Sequence, residues 1–275
     1  MKGSPVNKKR NTKHHLTLIT ATTTLLLSLF SLVFQDIYTA RINRITEYEL
    51  MGQDVVTAAI SAVFLCVILF KDYQRIKTKI VWLGCLLYLF YIYAYFSFGG
   101  VTSVFYLLYV AITGLTLFLF LFILVDIVKN DQLPDAAENY PRKAISAFFF
   151  ISILLITVIE IQELILKTIV LKEQLNPFQV FYVLDLAIIF PSILITSVLN
   201  LRKTGWGYLF SGVALIKIAT ILPAVIFNDV FHRLYTGSFL DLPFDIIAAI
   251  ITLIAAILLV MYMSRVDDKK SSLPR

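Results

Sequence analysis

Residues 103–125 read SVFYLLYVAITGLTLFLFLFILV, a run without a single charged side chain. Wound as an α-helix at 1.5 Å per residue it is about 34 Å long, enough to cross the roughly 30 Å hydrocarbon core of a bilayer. The run is continuously apolar and does not alternate. It is also about twice the length of a barrel strand, so it reads as a spanning helix. Seven further runs pass the same test, near 16–34, 54–70, 79–97, 144–165, 178–199, 206–227 and 242–263. The second is short, and the fifth ends in the polar stretch Glu160-Ile161-Gln162-Glu163, which blurs its boundary. The chain is expected to be all-α: a polytopic transmembrane helix bundle of about eight spans. A single transmembrane domain over 16–263 lies between a basic tail (1–15) and a second tail (264–275).

Composition agrees. Apolar residues make up 59% of the 275 and charged residues 15%, against roughly 45–50% and about 25% in soluble domains. So much apolar surface does not fit inside one soluble core, whose exterior must be polar; lipid is the solvent this chain suits. The net charge of +6 does not indicate nucleic acid, because the basic residues sit in short loops with no continuous basic face.

Those loops carry the orientation. Lys/Arg residues fall in the N-terminal tail (Lys2, Lys8, Lys9, Arg10, Lys13) and the second loop (Lys71, Arg75, Lys77, Lys79). They recur in the fourth loop (Lys129, Arg142, Lys143), the sixth (Arg202, Lys203) and the C-terminal tail (Arg265, Lys269, Lys270, Arg275). That is eighteen on one side against five on the other: Arg41, Arg44, Lys167, Lys172 and Arg233. By the positive-inside rule a cell membrane would hold both termini in the cytoplasm. A basic tail before an apolar run also precedes cleaved signal peptides. Here the run is long for a signal core and the best cleavage candidate, Tyr38-Thr39-Ala40, is poor, so the first run is expected to remain a span.

Local signals mark several boundaries. Asp54, after Gly52-Gln53, reads as the N-cap of the second span; Asn176-Pro177 and Asp241-Leu242-Pro243 read as further helix starts. Trp206 and Tyr208 stand where interfacial aromatic residues belong. Cys66 and Cys85 lie in apolar runs and read as reduced packing residues, with neither CxxC nor zinc-type spacing. His14 and His15 fall in the tail and His232 in a loop. The sequence calls for no cofactor or metal.

Charge inside hydrocarbon costs at least about 2.5–3.5 kcal/mol, so each buried charge needs a partner or a cavity. Asp185 and Lys217 are the two charges deep inside spans, at about 12 Å and 13–14 Å from the outer edge of the sixth and seventh. Consecutive antiparallel helices are usually neighbours, so the two side chains can meet, and pairing would neutralise both. Glu160, Glu163, Asp245 and Asp54 collect on the outer side, and would form an outward-facing acidic vestibule with Lys217 at its floor. Pro191 and Pro223 would bend the sixth and seventh helices and open such a space. Tyr88, Tyr91 and Tyr95 share a face of the third helix and could line a hydroxyl-rich passage or a cage for a cation. The plainer alternatives are a structural ion pair, a helix cap and helix–helix packing.

Several segments resemble a family of uncharacterised multi-spanning integral membrane proteins of bacteria and archaea. They are Gly52-Gln53-Asp54-Val55-Val56, Trp82-Leu83-Gly84 through Tyr88, Tyr91-Ile92-Tyr93 and Phe105 through Leu108-Tyr109-Val110. Leu184-Asp185-Leu186 with Pro191, and Trp206-Gly207-Tyr208 with Lys217, complete the set, which covers roughly 50–225. The resemblance implies an architecture and no particular activity. Three functions stay open on the residues. One is a transporter or channel-like protein for a small polar or cationic solute, with Asp185, Lys217, Glu160, Asp245, Asp54, Tyr88, Tyr91 and Tyr95 as candidate binding residues. Another is a non-catalytic sensor, scaffold or accessory subunit. The third is a lipid-acting enzyme, for which no nucleophile–base motif is present.

Overall fold

The computed structural model describes residues 5–34, 44–99, 101, 103–172, 177–237 and 242–267. Eight long helices form the chain: α1 (Pro5–Val33), α2 (Arg44–Phe70), α3 (Ile76–Phe98) and α4 (Tyr106–Lys129), then α5 (Arg142–Val170), α6 (Phe181–Leu201), α7 (Gly205–Thr236) and α8 (Leu242–Arg265). All eight are long and apolar enough to cross a membrane. α3 and α7 are the most buried and pack on each other. α7 also meets α2, α6 and α8, while α4 lies on α3, α1 on α2, and α5 mainly on α6. The outer helices turn large apolar side chains outward, among them Leu107, Phe118, Leu154, Ile195, Leu253 and Val260. A belt of that kind far exceeds the apolar patches that water tolerates, and it matches a lipid surround.

Close approach at the centre needs small residues, because in lipid the helices gain from packing and not from hiding apolar surface. A Cβ on Gly52 of α2 would overlap the Phe227 carbonyl of α7 and lie 2.7 Å from the Asn228 nitrogen. One on Gly84 of α3 would lie 2.6 Å from Cγ2 of Ile216 in α7. Buried hydroxyls are satisfied locally: Thr57, Thr113, Thr116 and Thr220 each donate to the carbonyl four residues earlier. Others tie helices together, as in Thr24 with Ser61 at 2.9 Å, Ser97 with Thr113 at 3.1 Å, and Asn200 Nδ2 donating to Ser146 Oγ at 2.9 Å.

The end of the bundle where α1 starts and α8 finishes is cross-braced. Asp126 of α4 accepts from Lys13 of α1 at 3.2 Å, from Lys79 of α3 at 2.9 Å and from the Tyr73 hydroxyl at 3.0 Å. Strand β1 (Asp135–Ala136), in the α4–α5 loop, pairs antiparallel with β2 (Val266–Asp267), which directly follows α8. Trp82 packs against His14, Phe64 and Tyr73 beside this brace.

Several boundaries differ from the sequence reading. Asp54 caps nothing: α2 begins at Arg44, so Asp54 lies in the helix interior, buried, with Ser31 Oγ donating to its carboxylate. The polar residues before Gly52 continue a helix beyond the apolar run. For the same reason α7 extends to Thr236 and places His232 in a helix and not a loop. α5 continues through a π turn to Val170. α1 begins at Pro5, so His14 and His15 are helical, and His14 Nε2 lies 3.2 Å from the Ile68 carbonyl. Tyr208 is buried: its hydroxyl accepts from Arg142 at 3.0 Å and its carbonyl accepts from Tyr262 at 2.8 Å. α8 starts at Leu242 as expected, and Cys66 and Cys85 are free thiols. Tyr38-Thr39-Ala40, Arg41, Asn176, Asp241 and the 268–275 tail lie outside the described residues, as do the side chains of 1–11.

Candidate functional site

The site forms around a local irregularity in α6. Pro191 lacks the N–H that a regular helix would use, and a π turn (Asp185–Ile189) precedes it, with the Phe190 N–H donating to the Asp185 carbonyl. The extra residue per turn rotates Asp185 relative to a regular helix; π turns of this kind recur at functional sites. α7 passes alongside with Pro223 inside the helix, which leaves the Ala219 carbonyl without its usual donor.

Between α5, α6, α7 and α8, with Gln53 of α2 and Tyr91 and Tyr95 of α3 as its back wall, lies a cavity of about 450 Å³. That size falls within the range of small-molecule sites. It extends along α7 from Lys217 to Asp229, about 18 Å of helix. Five carboxylates line it, Glu160, Glu163, Asp185, Asp229 and Asp245, against one lysine, Lys217. Glu163 is also paired with Lys167 one turn on. Much of the remaining wall is apolar, built from Ile153, Ile156, Ile189, Ile218, Ile221 and Leu222.

Six of the eight residues singled out from sequence share this cavity: Asp185, Lys217, Glu160, Asp245, Tyr91 and Tyr95. Asp54 and Tyr88 do not. They belong to the packing of α2, where the Tyr88 hydroxyl meets Thr57 Oγ1 at 3.0 Å. The expected direct pair of Asp185 with Lys217 is replaced by a three-residue arrangement. The Tyr91 hydroxyl donates to Asp185 Oδ2 at 2.7 Å, and the Lys217 ammonium lies over the Tyr91 ring, 3.7 Å from its centre. Among the described residues no ion pair joins Asp185 to Lys217. The physical reason is rotational: both charges are at comparable depth, but the ring of the third helix is interposed. Lys217 is 2% exposed, so the attraction to the ring acts with little water to weaken it.

The cavity also contains polar atoms left over. Among the described residues, Glu160 is 9% exposed and its Oε2 has no hydrogen-bond partner, and Gln53 is 5% exposed and its Nε2 has none. Asn228 Oδ1 is likewise unmatched, although its Nδ2 reaches Gln53 Oε1 at 3.5 Å. Buried polar groups are seldom left so, because each costs about 1–3 kcal/mol. Sequence reasoning overlooked Gln53, Asn228 and Asp229. The first two are neutral and lie in helices whose polar continuation was read as loop or boundary.

On the other side of α6 is a second, apolar cavity of about 240 Å³, walled by Leu87, Phe90, Leu117, Phe120, Phe210 and Val213. Ile189, Ile193 and Lys217 line both cavities and form the partition between them.

Fold and site define a polytopic membrane protein with an acidic cavity inside its bundle. No protein-family model, curated protein or solved structure matches the chain. The resemblance noted in the sequence therefore identifies no family and carries only the multi-spanning architecture, which the eight helices provide.

Proposed function

We propose that this chain is a transporter or channel-like protein for a small cationic solute, which it binds in the acidic cavity. One observation carries the reading: a cavity of about 450 Å³ with five carboxylates to one lysine among the described residues, in which the buried oxygen Oε2 of Glu160 has no partner among them. A cation supplies the missing charge, and its N–H groups or hydration water supply the missing hydrogen bonds. Intramembrane acids that face a cavity commonly mark ion and solute pathways. The second cavity supports passage over simple capture, because the two spaces lie on either side of one partition made of Lys217, Ile189 and Ile193. α6, broken by a π turn and followed by Pro191, is the element suited to shift between them. The split of basic residues between the two sets of loops supports an orientation with both termini cytoplasmic and the acidic cavity opening outward.

The reading is tested by thermal stability of the purified protein in detergent across a panel of cations, anions and neutral solutes. Cations stabilise the wild type in proportion to concentration, as binding to the folded state requires, and Glu160→Gln loses the effect. Equal behaviour of cations and anions, or no stabilisation by any member of the panel, refutes it.

A further inference from the structure

The side chains of the acidic cavity specify more than the sign of a charge. Building on the cation-binding reading above, we infer that the ligand is an organic ammonium ion with an apolar body, whose head takes the place of the Lys217 ammonium on the face of Tyr91. The seat for such a head is already built. Tyr91 presents its ring to a cation at 3.7 Å while its hydroxyl is held by Asp185 at 2.7 Å, so the ring is fixed and a carboxylate stands beside it. Aromatic faces of this kind recognise ammonium ions, quaternary ones included. In the structure the protein's own ammonium fills the seat, on a four-carbon tether and without a direct ion pair to Asp185. It is a tethered competitor for the ligand.

Two further features support a ligand at this seat, and the second of them favours an organic cation over an inorganic one. Among the described residues Glu160 Oε2, in a residue nine-tenths buried, lines the cavity with no hydrogen-bond partner, and so offers an acceptor oxygen to a ligand N–H or ammonium head. The same cavity is lined by Ile153, Ile156, Ile221 and Leu222, which satisfy an alkyl or aryl body and give nothing to a hydrated ion. Among the described residues no three His, Cys, Asp or Glu side chains are grouped as metal ligands. A displaced Lys217 retains a favourable field, because Asp185 lines the same cavity.

The test is equilibrium binding of radiolabelled benzyltrimethylammonium to the full-length protein in detergent. Potassium, sodium, calcium, benzoate and the neutral isostere neopentylbenzene serve as competitors. Binding is expected to saturate and to resist about a hundredfold excess of the inorganic ions and of neopentylbenzene, since a fixed seat discriminates by shape as well as charge. Lys217→Gln, which removes the tethered competitor, tightens binding about tenfold. Tyr91→Leu weakens it about tenfold or more, while Tyr91→Phe, which keeps the ring, stays within about threefold of wild type. Unchanged or weaker binding in a monodisperse Lys217→Gln protein overturns the displacement. Should that variant not fold, the Tyr91→Phe and Tyr91→Leu pair decides alone, and equal losses in both overturn the ring's role. Competition by neopentylbenzene reduces the site to an apolar pocket and also overturns the inference. Binding of potassium or sodium in place of the organic ion removes this inference and leaves the cation reading standing, whereas no cation binding at all removes both.

Discussion

Replacing Tyr91 by Phe removes one atom that serves one partner. The hydroxyl donates to Asp185 Oδ2 at 2.7 Å, and the ring beneath Lys217 stays in place. A hydrogen bond to a charged group is worth about 1.5–3 kcal/mol. Asp185 is only half-buried, so water in the cavity takes over part of the donor's role, and the lower figure of about 1.5 kcal/mol applies. Tyr91→Leu removes the ring as well. With Lys217 2% exposed, the cation–π attraction is at its desolvated value of about 2 kcal/mol, and the total reaches about 3.5 kcal/mol before any cavity is counted. For a chain of this size each kcal/mol corresponds to about 2–4 °C in Tm, so thermal unfolding in detergent should fall by about 3–6 °C for Phe and about 7–14 °C for Leu. A double-mutant cycle locates the cause. Tyr91→Phe and Asp185→Asn should be non-additive by about 1 kcal/mol or more, because they remove the two ends of one bond. Additive losses, or a Phe variant as stable as wild type, would refute the bridging role of Tyr91.

Gly52→Ala forces a methyl into the Phe227 carbonyl and should destabilise by about 1–3 kcal/mol in the same assay. Gly114→Ala, with nothing within 4 Å of the new atom, should be neutral or gain up to about 0.5–1 kcal/mol of helix stability. Asp126→Asn leaves Lys79, 1% exposed, without its counter-charge and should cost about 3 kcal/mol, of which Lys79→Met in the double variant recovers most. For orientation, a single cysteine at exposed Gln74 should react with an impermeant maleimide only from the cytoplasmic side, and one at exposed Thr236 only from outside; the reverse pattern inverts the topology.

Eight spans were legible because length times rise is a strong constraint and each apolar run is long. What the runs could not show is where a helix stops once it leaves hydrocarbon. Residues 44–51 and 228–236 continue α2 and α7 as helix with polar sequence, which is why Asp54 read as a cap and His232 as a loop residue. Depth could be read as well: it put Asp185 and Lys217 at one level with Glu160 nearer the outer edge, and all three line one cavity. Depth is an axial coordinate, however, and says nothing of rotation about the helix axis. So the interposed ring of Tyr91 was invisible, and so was the assignment of Tyr88 to α2 packing instead of the cavity. Gln53 and Asn228 fall just outside the apolar runs, and neutral amides at a boundary raise no alarm, so they were missed. Asp126, at the end of its run, read as the start of a loop, although it braces α1, α3 and α4.

Cation uptake into proteoliposomes, compared between wild type and Glu160→Gln, tests the cavity's role most directly. Wild-type vesicles should take up at least one labelled cation, from sodium to benzyltrimethylammonium, in a saturable manner and exclude labelled benzoate. Glu160→Gln vesicles, carrying protein of wild-type monodispersity, should lose most of that uptake. Uptake indifferent to Glu160, or none for any cation while the protein remains folded in the bilayer, would contradict the proposal that this cavity carries cations.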